Sequence, residues 1–515
     1  MDWTEIVSVL YPEFILIVGI LVTLGMSLFE TSKRHVPGMS VVFLVLSSAA
    51  VSKELFSNET GAILFNSFAQ DSLSIYFRLL IYLVTAILVL GSNQYLRQLE
   101  SPAEYYPIIL TSALGAGMLV GANDLLFFFV ALETLGLGAI LLASYARLNQ
   151  KSNEAGIKYL ISSAVSTATL LLGISFLYGL TGVTNFDEVA FRLYQLNMIG
   201  ALSPAVIALI AVCLVAAVSF KLAAVPFHNW SPDVYTGAPT VTTAFLSVVS
   251  KTAAFGLAIR LFNSVFNNDL ITILFAVIAV LSIILGNYVG LIQMISRGSA
   301  KRLLAYSSIA QAGYLIIGLA IFQEESITAL VMYLSVYALM NTGVFLGLIY
   351  FEQNAGSDLI YDMAGLIKKR PWMAIAMSLC LINLAGLPFI PAGFIAKFYL
   401  FSSAYASNLG LSFWGFQLGQ ILAVLGLLGS LVGLYYYLYL VKIMIVDEPS
   451  TAVKQLENTD SSFCLIKLTQ SCGPAKGYGL INISMALTVI LMIGFGVFGM
   501  NWFRLIASQV VSGLL

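Results

Sequence analysis

The chain has 515 residues, of which 59% are hydrophobic and 10% are charged. A soluble domain carries about 25% charged residues, so this composition excludes a soluble globular protein and predicts an all-α integral membrane protein. The formal net charge is −1, which argues against a nucleic-acid partner.

The apolar runs of the sequence predict about 14 transmembrane helices. Each run has roughly the 18 to 25 residues that are needed to cross about 30 Å of hydrocarbon. The run 372–406 is longer than one simple span and contains Pro388 and Pro391, so it is predicted to form a single broken helix. In chain order, the predicted spans are residues 12–30, 38–56, 72–92, 106–122, 124–145, 157–180, 202–226, 240–263, 269–292, 303–322, 327–351, 372–406, 416–441 and 479–501.

The basic residues of the predicted loops lie mainly on one side of the membrane. Most of the 24 Lys and Arg residues follow odd-numbered spans, and few lie on the opposite side, which also has both termini. Because Lys and Arg favour cytoplasmic loops, both termini are expected to face away from the cytoplasm, stroma or matrix. The basic residues on the side of the termini are Lys53, Arg192, Arg260 and Arg504.

Ionisable residues inside the predicted spans are the candidates for function. A charge at the bilayer centre costs on the order of 2.5 to 3.5 kcal/mol, so it needs a partner or a wet cavity. Glu133 lies near the middle of its span, and its alternative role is a structural hydrogen bond to a neighbouring helix. Arg78 and Lys158 lie near the start of their spans, where a long side chain can also reach the interface. The basic residues within or at the ends of spans are Arg78, Lys158, Lys221, Lys251 and Lys397.

Prolines indicate that two of these spans are interrupted. Lys221 precedes Pro226 in span seven, and Lys397 follows Pro391 in span twelve. The two spans run in opposite directions, and paired broken helices in inverted halves indicate an ion path at the midplane. We therefore predict two inverted five-helix repeats with broken helices 7 and 12. The predicted regions are an N-terminal three-helix segment (1–105), the first repeat (106–265), the second repeat (266–445), a loop on the basic side (446–478) and the last helix with its tail (479–515).

Buried lysines are suited to proton relay because burial favours the neutral amine, whereas a nearby carboxylate favours the ammonium ion. Glu133 beside Lys221 would form a switch in which the movement of one charge releases or captures a proton. His228, just after Pro226, is the candidate for a proton entry; the alternative is a histidine bonded to loop backbone. The sequence has no nucleotide fingerprint, phosphate loop or Cys/His cluster, so no cofactor or metal site is expected in this chain.

Four long motifs resemble the antiporter-like, proton-translocating membrane subunits of respiratory complex I and its photosynthetic relatives. The motifs are FKLAAVPFHNWSPDVYTGAPT (220–240), AFLSVVSK (244–251), KRLLAYSSIAQAGY (301–314) and SNEAGIKYL (152–160). The resemblance extends from about residue 70 to 447. It departs from the family at span twelve, where Phe389 and Ile390 separate prolines that are usually adjacent, and at Thr236, where an acidic residue is common.

The resemblance implies a hydrophilic axis for proton translocation formed by Glu133, Lys221, Lys251 and Lys397, with Lys158 also implicated. It implies partnership with other membrane subunits, including neighbouring antiporter-like subunits. Those other subunits would use quinone, iron–sulfur clusters and NAD(P)H or ferredoxin, and this chain would have no redox centre. Two alternatives are a subunit of a multisubunit cation/proton antiporter and a mainly structural subunit.

The membrane in which the chain resides is also suggested by resemblance. The tyrosine-rich run 435–442, ahead of residues 447–449, is typical of the cyanobacterial and plastid branch. A thylakoid membrane is therefore favoured over a bacterial plasma membrane or the mitochondrial inner membrane.

Overall fold

A computed structural model describes residues 10–57, 61–63, 66–265, 269–388, 391–408, 410–413, 416–456, 478–497 and 500–512. Two short antiparallel hairpins connect helices: β1 (Gly61–Ile63) with β2 (Phe68–Gln70), and β3 (Ser412–Phe413) with β4 (Phe416–Gln417). The helices, in chain order, are α1 (Tyr11–Leu28), α2 (Val36–Ser57), α3 (Ser72–Leu96), α4 (Pro102–Val120), α5 (Leu125–Ala143), α6 (Gln150–Thr181), α7 (Phe186–Met198), α8 (Pro204–Leu222), α9 (Trp230–Gly237), α10 (Thr240–Phe245), α11 (Lys251–Ser264), α12 (Asp269–Ile295), α13 (Ala300–Ile321), α14 (Glu324–Ala355), α15 (Pro371–Ala385), α16 (Pro391–Ala406), α17 (Leu418–Ile445), α18 (Thr451–Gln455), α19 (Tyr478–Val497) and α20 (Met500–Ser512).

The prediction of an all-helical membrane protein is confirmed. Within the described ranges, 13 helical segments are long and apolar enough to cross a membrane. The shorter helices α15 and α16 occupy the predicted run 372–406. Taken together as one interrupted span, they bring the arrangement into agreement with the predicted number of about fourteen.

Several predicted boundaries are wrong because apolar runs mark only the part of a helix inside hydrocarbon. Helix α6 begins at Gln150 rather than near 157, and α14 extends from Glu324 to Ala355 rather than from 327 to 351. The predicted last span also crosses a helix boundary, since α19 ends at Val497 and α20 begins at Met500. The amphipathic helix α7 lies in a segment where no helix was predicted. Of the predicted loop 446–478, residues 457–477 lie outside the described residues.

The helical segments are interrupted at two matching places, which is consistent with the predicted breaks. Helix α8 ends at Leu222, Ala223 adopts a left-handed conformation with φ of 54°, and α9 starts seven positions further on. Helix α15 ends before Gly386, whose φ is 81°. A Cβ atom at Gly386 would also lie 3.1 Å from Cδ of Lys397, so a larger residue would strain this turn and displace the lysine side chain. Phe389 and Ile390 lie outside the described residues.

A third irregularity lies directly before Lys251 and was not predicted. Residues Leu246–Ser250 form a π-helical turn between α10 and α11. Such turns shift the phase of the side chains that follow, and they occur frequently at functional sites. The turn therefore helps to determine where the Lys251 side chain points.

The core of the bundle is formed by α10–α11, α13 and α14. The most apolar stretches of Thr240–Asn263 and Glu324–Ala355 are entirely buried inside the protein, and the most apolar stretch of α13 is almost entirely buried. Helix α6 lies at the periphery and exposes Ile157, Ile161 and Val165. A helix with apolar side chains on its outer face is suited to lipid or to a membrane partner.

Candidate functional site

Lys251 is buried at the start of α11, and α13 holds its ammonium group. Its Nζ donates to the backbone oxygen of Ser308 at 2.8 Å and to Oγ of Ser308 at 2.6 Å. The Ser308 hydroxyl is also hydrogen-bonded to Tyr337 of α14 at 3.2 Å. Asn341, one turn along α14, donates to the same tyrosine hydroxyl at 3.1 Å. Lys251 is therefore linked to hydroxyl groups of both central helices.

Lys397 is buried on α16 and occupies the gap left by the second break. Its Nζ donates to the oxygen of Leu384 at 2.7 Å, in the last turn of α15, and to Oγ of Ser430 at 3.2 Å. The rings of Tyr314 and Tyr333 lie 5.4 Å and 6.0 Å from Nζ. Among the described residues, Lys397 thus contacts a carbonyl freed by the break and two aromatic faces, and it forms no ion pair with a carboxylate.

Gln311 on α13 reaches the environment of Lys397. Its Nε2 donates to the Leu384 oxygen at 3.4 Å, which also accepts from Lys397, and to the Tyr437 hydroxyl at 3.0 Å. Its Oε1 accepts a hydrogen bond from Tyr333. Gln311 follows Ser308 by one helical turn. We name the hydrogen-bonding residues Ser307, Ser308, Gln311 and Tyr437 the α13 band, which extends between Lys251 and Lys397.

Tyr437 closes the α13 band from α17. Its hydroxyl is hydrogen-bonded to Ser307, the neighbour of Ser308, as well as to Gln311. All four side chains of the α13 band are buried. The band therefore places exchangeable protons inside an apolar bundle in two groups: Ser308 beside Lys251, and Ser307, Gln311 and Tyr437 hydrogen-bonded to one another near Lys397. The sequence motif at 301–314 contains three of its members, but spacing alone does not reveal their partners.

Lys221 lies in the last turn of α8, next to the first break. Its side chain is buried, and a Cβ atom at Gly136 would lie 2.9 Å from Nζ, so the ammonium contacts the backbone of α5. Among the described residues, Lys221 Nζ has no hydrogen-bond partner. Glu133, one turn before Gly136, interacts with it electrostatically.

Glu133 does not form the direct ion pair with Lys221 that the switch hypothesis invokes. Its Oε1 accepts a hydrogen bond from Thr167 of α6 at 2.7 Å. Both the structural alternative and the electrostatic interaction with Lys221 are therefore realised at this position.

An aromatic stack fixes the first break. The rings of Tyr159 and Trp230 are stacked at 4.6 Å between centroids, and Trp230 lies 5.4 Å from Phe220. Nε1 of Trp230 donates to the Phe220 oxygen at 3.1 Å. Trp230 thereby satisfies a backbone acceptor beside the break. Tyr235, on the same short helix α9, packs edge-to-face against Trp230 at 6.4 Å between ring centroids.

Lys158 lies apart from the buried lysines. Its side chain is 44% exposed, and its Nζ forms ion pairs with Asp233 and Glu154, each at 2.7 Å. Asp233 also lies 3.6 Å from Arg302. The structure therefore places Lys158 on the outer surface of α6, and Asp233 is a partner that the sequence did not single out.

His228 lies between α8 and α9 and is partly exposed. Its Nδ1 is buried and has no hydrogen-bond partner among the described residues. The neighbouring Phe227 and Asn229 line a lateral groove of about 300 Å³, together with Ser162 and Thr169 of α6. The structure thus places His228 beside a groove that opens between α6 and α8.

For two basic residues the predicted environment is wrong, and for a third one of the two predicted alternatives is wrong. Lys301 and Arg260 were assigned to loops, yet both are buried, with Lys301 3.2 Å from Glu352 and Arg260 2.7 Å from Asp71. The interfacial alternative for Arg78 is also wrong, since its side chain is fully buried in ion pairs. The acidic partners lie 24 to 189 residues away in the chain, so no local pattern identifies them.

The fold and the buried lysines define an antiporter-like membrane protein. A profile of the NADH:quinone oxidoreductase/Mrp antiporter transmembrane family matches residues 122–426, and the chain belongs to this family. The NAD(P)H-quinone oxidoreductase subunit 2 proteins of Gloeobacter violaceus and Acaryochloris marina are similar to it. The first is 40% identical, covering 86% of this chain and 83% of the relative; the second is 41% identical, covering 88% and 84%.

Solved structures have the same fold. A chain of respiratory complex I from Thermus thermophilus is similar over 96% of this chain and 99% of its own length, with 25% identity and a TM-score of 0.74. A chain of the Mrp complex from Dietzia is similar over 98% and 97%, with a TM-score of 0.79. Its identity is 20%, so this second likeness concerns the fold alone.

Proposed function

We propose that the chain translocates protons as the subunit 2, or N, component of a complex I-type NAD(P)H- or ferredoxin-dependent quinone oxidoreductase. The names of its cyanobacterial relatives support this assignment. Other subunits would hold the iron–sulfur clusters and react with quinone and the electron donor. This chain would contribute the proton path, next to neighbouring antiporter-like subunits in the bilayer.

The observation that carries the proposal is the α13 band between Lys251 and Lys397. Proton transfer requires donor and acceptor atoms within hydrogen-bond reach, at about 2.6 to 3.2 Å. Lys251 and Lys397 each have such a contact, and Gln311 shares a backbone oxygen with Lys397. The two lysines would exchange protons through hydroxyl groups of this band.

Glu133 and Lys221 would form the switch of the first half. Movement of the Glu133 carboxylate towards Lys221 would stabilise the ammonium form, and separation would favour release of its proton. Lys158 would fix α9 beside the break through Asp233, since this ion pair joins α6 to α9. His228 would connect the groove between α6 and α8 with the region of Lys221.

Protons would move from the side of the basic loops to the side of the termini. The distribution of Lys and Arg residues supports this orientation, because positive loops remain on the cytoplasmic or stromal side. The cyanobacterial relatives support a thylakoid location. Attachment of an impermeant thiol reagent to a cysteine placed at His35, in the first loop between α1 and α2, tests the orientation. Labelling only from the side opposite the termini is expected.

Replacement of the axis residues in the native complex tests the function. Lys221→Ala and Glu133→Ala are expected to reduce proton uptake into sealed vesicles and coupled quinone reduction while the complex still assembles. Lys442→Ala is a matched control, because its ion pair with Asp447 is exposed. Unchanged pumping in both axis variants would contradict the proposal, and failure of both variants to assemble would favour the structural alternative.

A cation/proton antiporter subunit is the second candidate, because the matching family includes Mrp antiporters. Purification in mild detergent separates the two. Redox subunits and quinone-dependent activity are expected for the oxidoreductase, whereas sodium-dependent proton exchange without redox subunits would indicate the antiporter.

A further inference from the structure

A buried ionic cluster joins the first three helices, away from the lysine axis. Glu13 lies in the first turn of α1, Glu54 in the last turn of α2, and Arg78 in the second turn of α3. Because consecutive helices alternate in direction, all three residues are at the end of the bundle where α1 begins. We name Glu13, Glu54 and Arg78 the N-terminal triad.

Arg78 holds the two carboxylates of the N-terminal triad together. Its Nη1 lies 3.0 Å from Oε1 of Glu13, and its Nη2 lies 2.6 Å from Oε2 of Glu54. The side chains are 0% exposed for Arg78 and 3% for each glutamate. The Tyr82 hydroxyl donates to Oε1 of Glu13 at 3.1 Å, and the ring of Phe68 lies 5.3 Å from the guanidinium carbon.

The formal charges of the N-terminal triad do not balance. Two ionised carboxylates and one guanidinium sum to −1 in a site that water does not reach. Burial of an uncompensated charge costs several kcal/mol, so such sites are normally neutralised. Glu13 and Glu54 are the acidic residues that act on Arg78. The nearby pair of Arg260 and Asp71 is balanced by itself and supplies no compensating charge.

The hydrogen-bonding groups indicate which kind of ligand is missing. Oε2 of Glu13 and Oε1 of Gln70 are buried acceptors without a hydrogen-bond partner among the described residues. Gln70 lies on β2, beside Glu54. Within the part of the chain that the structure describes, these two oxygens thus lack donors, and the triad has one positive charge for two carboxylates. One proton on a carboxyl group supplies both, because a protonated carboxyl is neutral and donates an O–H.

We infer that the N-terminal triad is a proton-binding site that holds one proton between Glu13 and Glu54. It is separate from the lysine axis of the proposed function and lies on the face of the termini. The occupied state has one neutral carboxyl, one carboxylate and the Arg78 guanidinium. Release of the proton leaves a net negative charge in the buried cluster.

Infrared difference spectra of the purified native complex test this inference. Glu13→Gln and Glu54→Gln each mimic a neutral carboxyl, and the remaining glutamate then pairs with Arg78 as an anion. Both variants are expected to assemble and to lose the carbonyl band of one protonated carboxyl per subunit. Tyr82→Phe is the matched control, since it removes a hydrogen bond to Glu13 but neither carboxyl group; its band is expected to shift and to remain.

A second measurement uses the thermal midpoint of the complex between neutral and alkaline pH. A proton held only in the folded state makes stability fall as pH rises, so the wild-type midpoint is expected to fall relative to that of Glu13→Gln. Tyr82, Asp71 and Arg260 are present in both proteins, so their contributions to the pH dependence cancel in the difference between the two midpoints. Three results would overturn the inference: no difference in carbonyl bands, a pH-independent difference in midpoint, or failure of both single variants to assemble. A midpoint that follows sodium concentration would also overturn it, because the ligand would then be a metal cation.

Discussion

Replacement of Gln311 by Met gives the sharpest test of the α13 band. Methionine has a similar length but no polar hydrogen, so it fills the space without linking Tyr437 to the Leu384 oxygen. Tyr437 retains Ser307, and the Leu384 oxygen retains Lys397. Among the contacts described for Gln311, only the hydroxyl of Tyr333 loses its acceptor.

The expected loss of stability follows from the number of hydrogen-bonding groups that lose their partner. One buried polar group without a partner costs about 1 to 3 kcal/mol, so the variant is expected to assemble with a modestly lower melting temperature. Proton transfer loses one buried hydrogen bond, which is worth about 1 kcal/mol net. A barrier higher by about 1.4 kcal/mol slows a step about tenfold, so a loss of about 1 kcal/mol is expected to decrease proton uptake about fivefold.

The assay compares proton uptake with quinone reduction in sealed vesicles that contain the native complex. Thr342→Val is the matched control, because it removes a buried hydroxyl of α14 whose hydrogen bond remains within its own helix, to Ala338. The control is expected to pump normally. Wild-type uptake by an assembled Gln311→Met complex would refute the role of the band.

Three other substitutions test separate parts of the structure. Both Lys397→Met and Lys397→Arg are expected to abolish most proton uptake in vesicles, since Met carries no proton and Arg does not release one; normal uptake with Arg would exclude proton release at this position. Trp230→Phe is expected to lower the stability of the complex by about 1 kcal/mol through loss of the bond to the Phe220 oxygen, and an unchanged melting temperature would count against that contact. Lys301→Met leaves Glu352 without its cation and is expected to cost about 1 to 3 kcal/mol. The double variant with Glu352→Gln is expected to recover most of that loss, and a double variant no more stable than the single one would show that the pair is not coupled.

The lysines of the axis were predictable because charge inside a long apolar run is rare and costly. Lys221, Lys251 and Lys397 stand out in any hydropathy plot, and the prolines near two of them indicated where helices stop. Their partners were not predictable. Ser308 and Gln311 are uncharged, and polar residues of this kind occur in many membrane helices without a functional role.

The errors have a common physical cause. Lys301 was placed in a loop because it lies just before an apolar run, but α13 begins at Ala300 and turns Lys301 towards Glu352. Arg78 was predicted to lie either at the membrane interface or in the interior of the bundle. Its burial depends on ion pairs with Glu13 and Glu54, which come from two other helices. Burial near the end of a helix depends on what covers that end, which hydropathy does not report.

The amino-acid sequence by itself predicted the membrane class, the approximate number of spans, the places where helices are interrupted and the burial of Lys221, Lys251 and Lys397. These features depend on the local cost of placing charge or an unpaired backbone group in hydrocarbon. Only the tertiary structure decided that α13 joins Lys251 to Lys397, that Lys158 faces outward, and that Arg78 holds two carboxylates. Such pairings depend on which helices pack together across long separations in the chain, and local sequence contains no direct record of them.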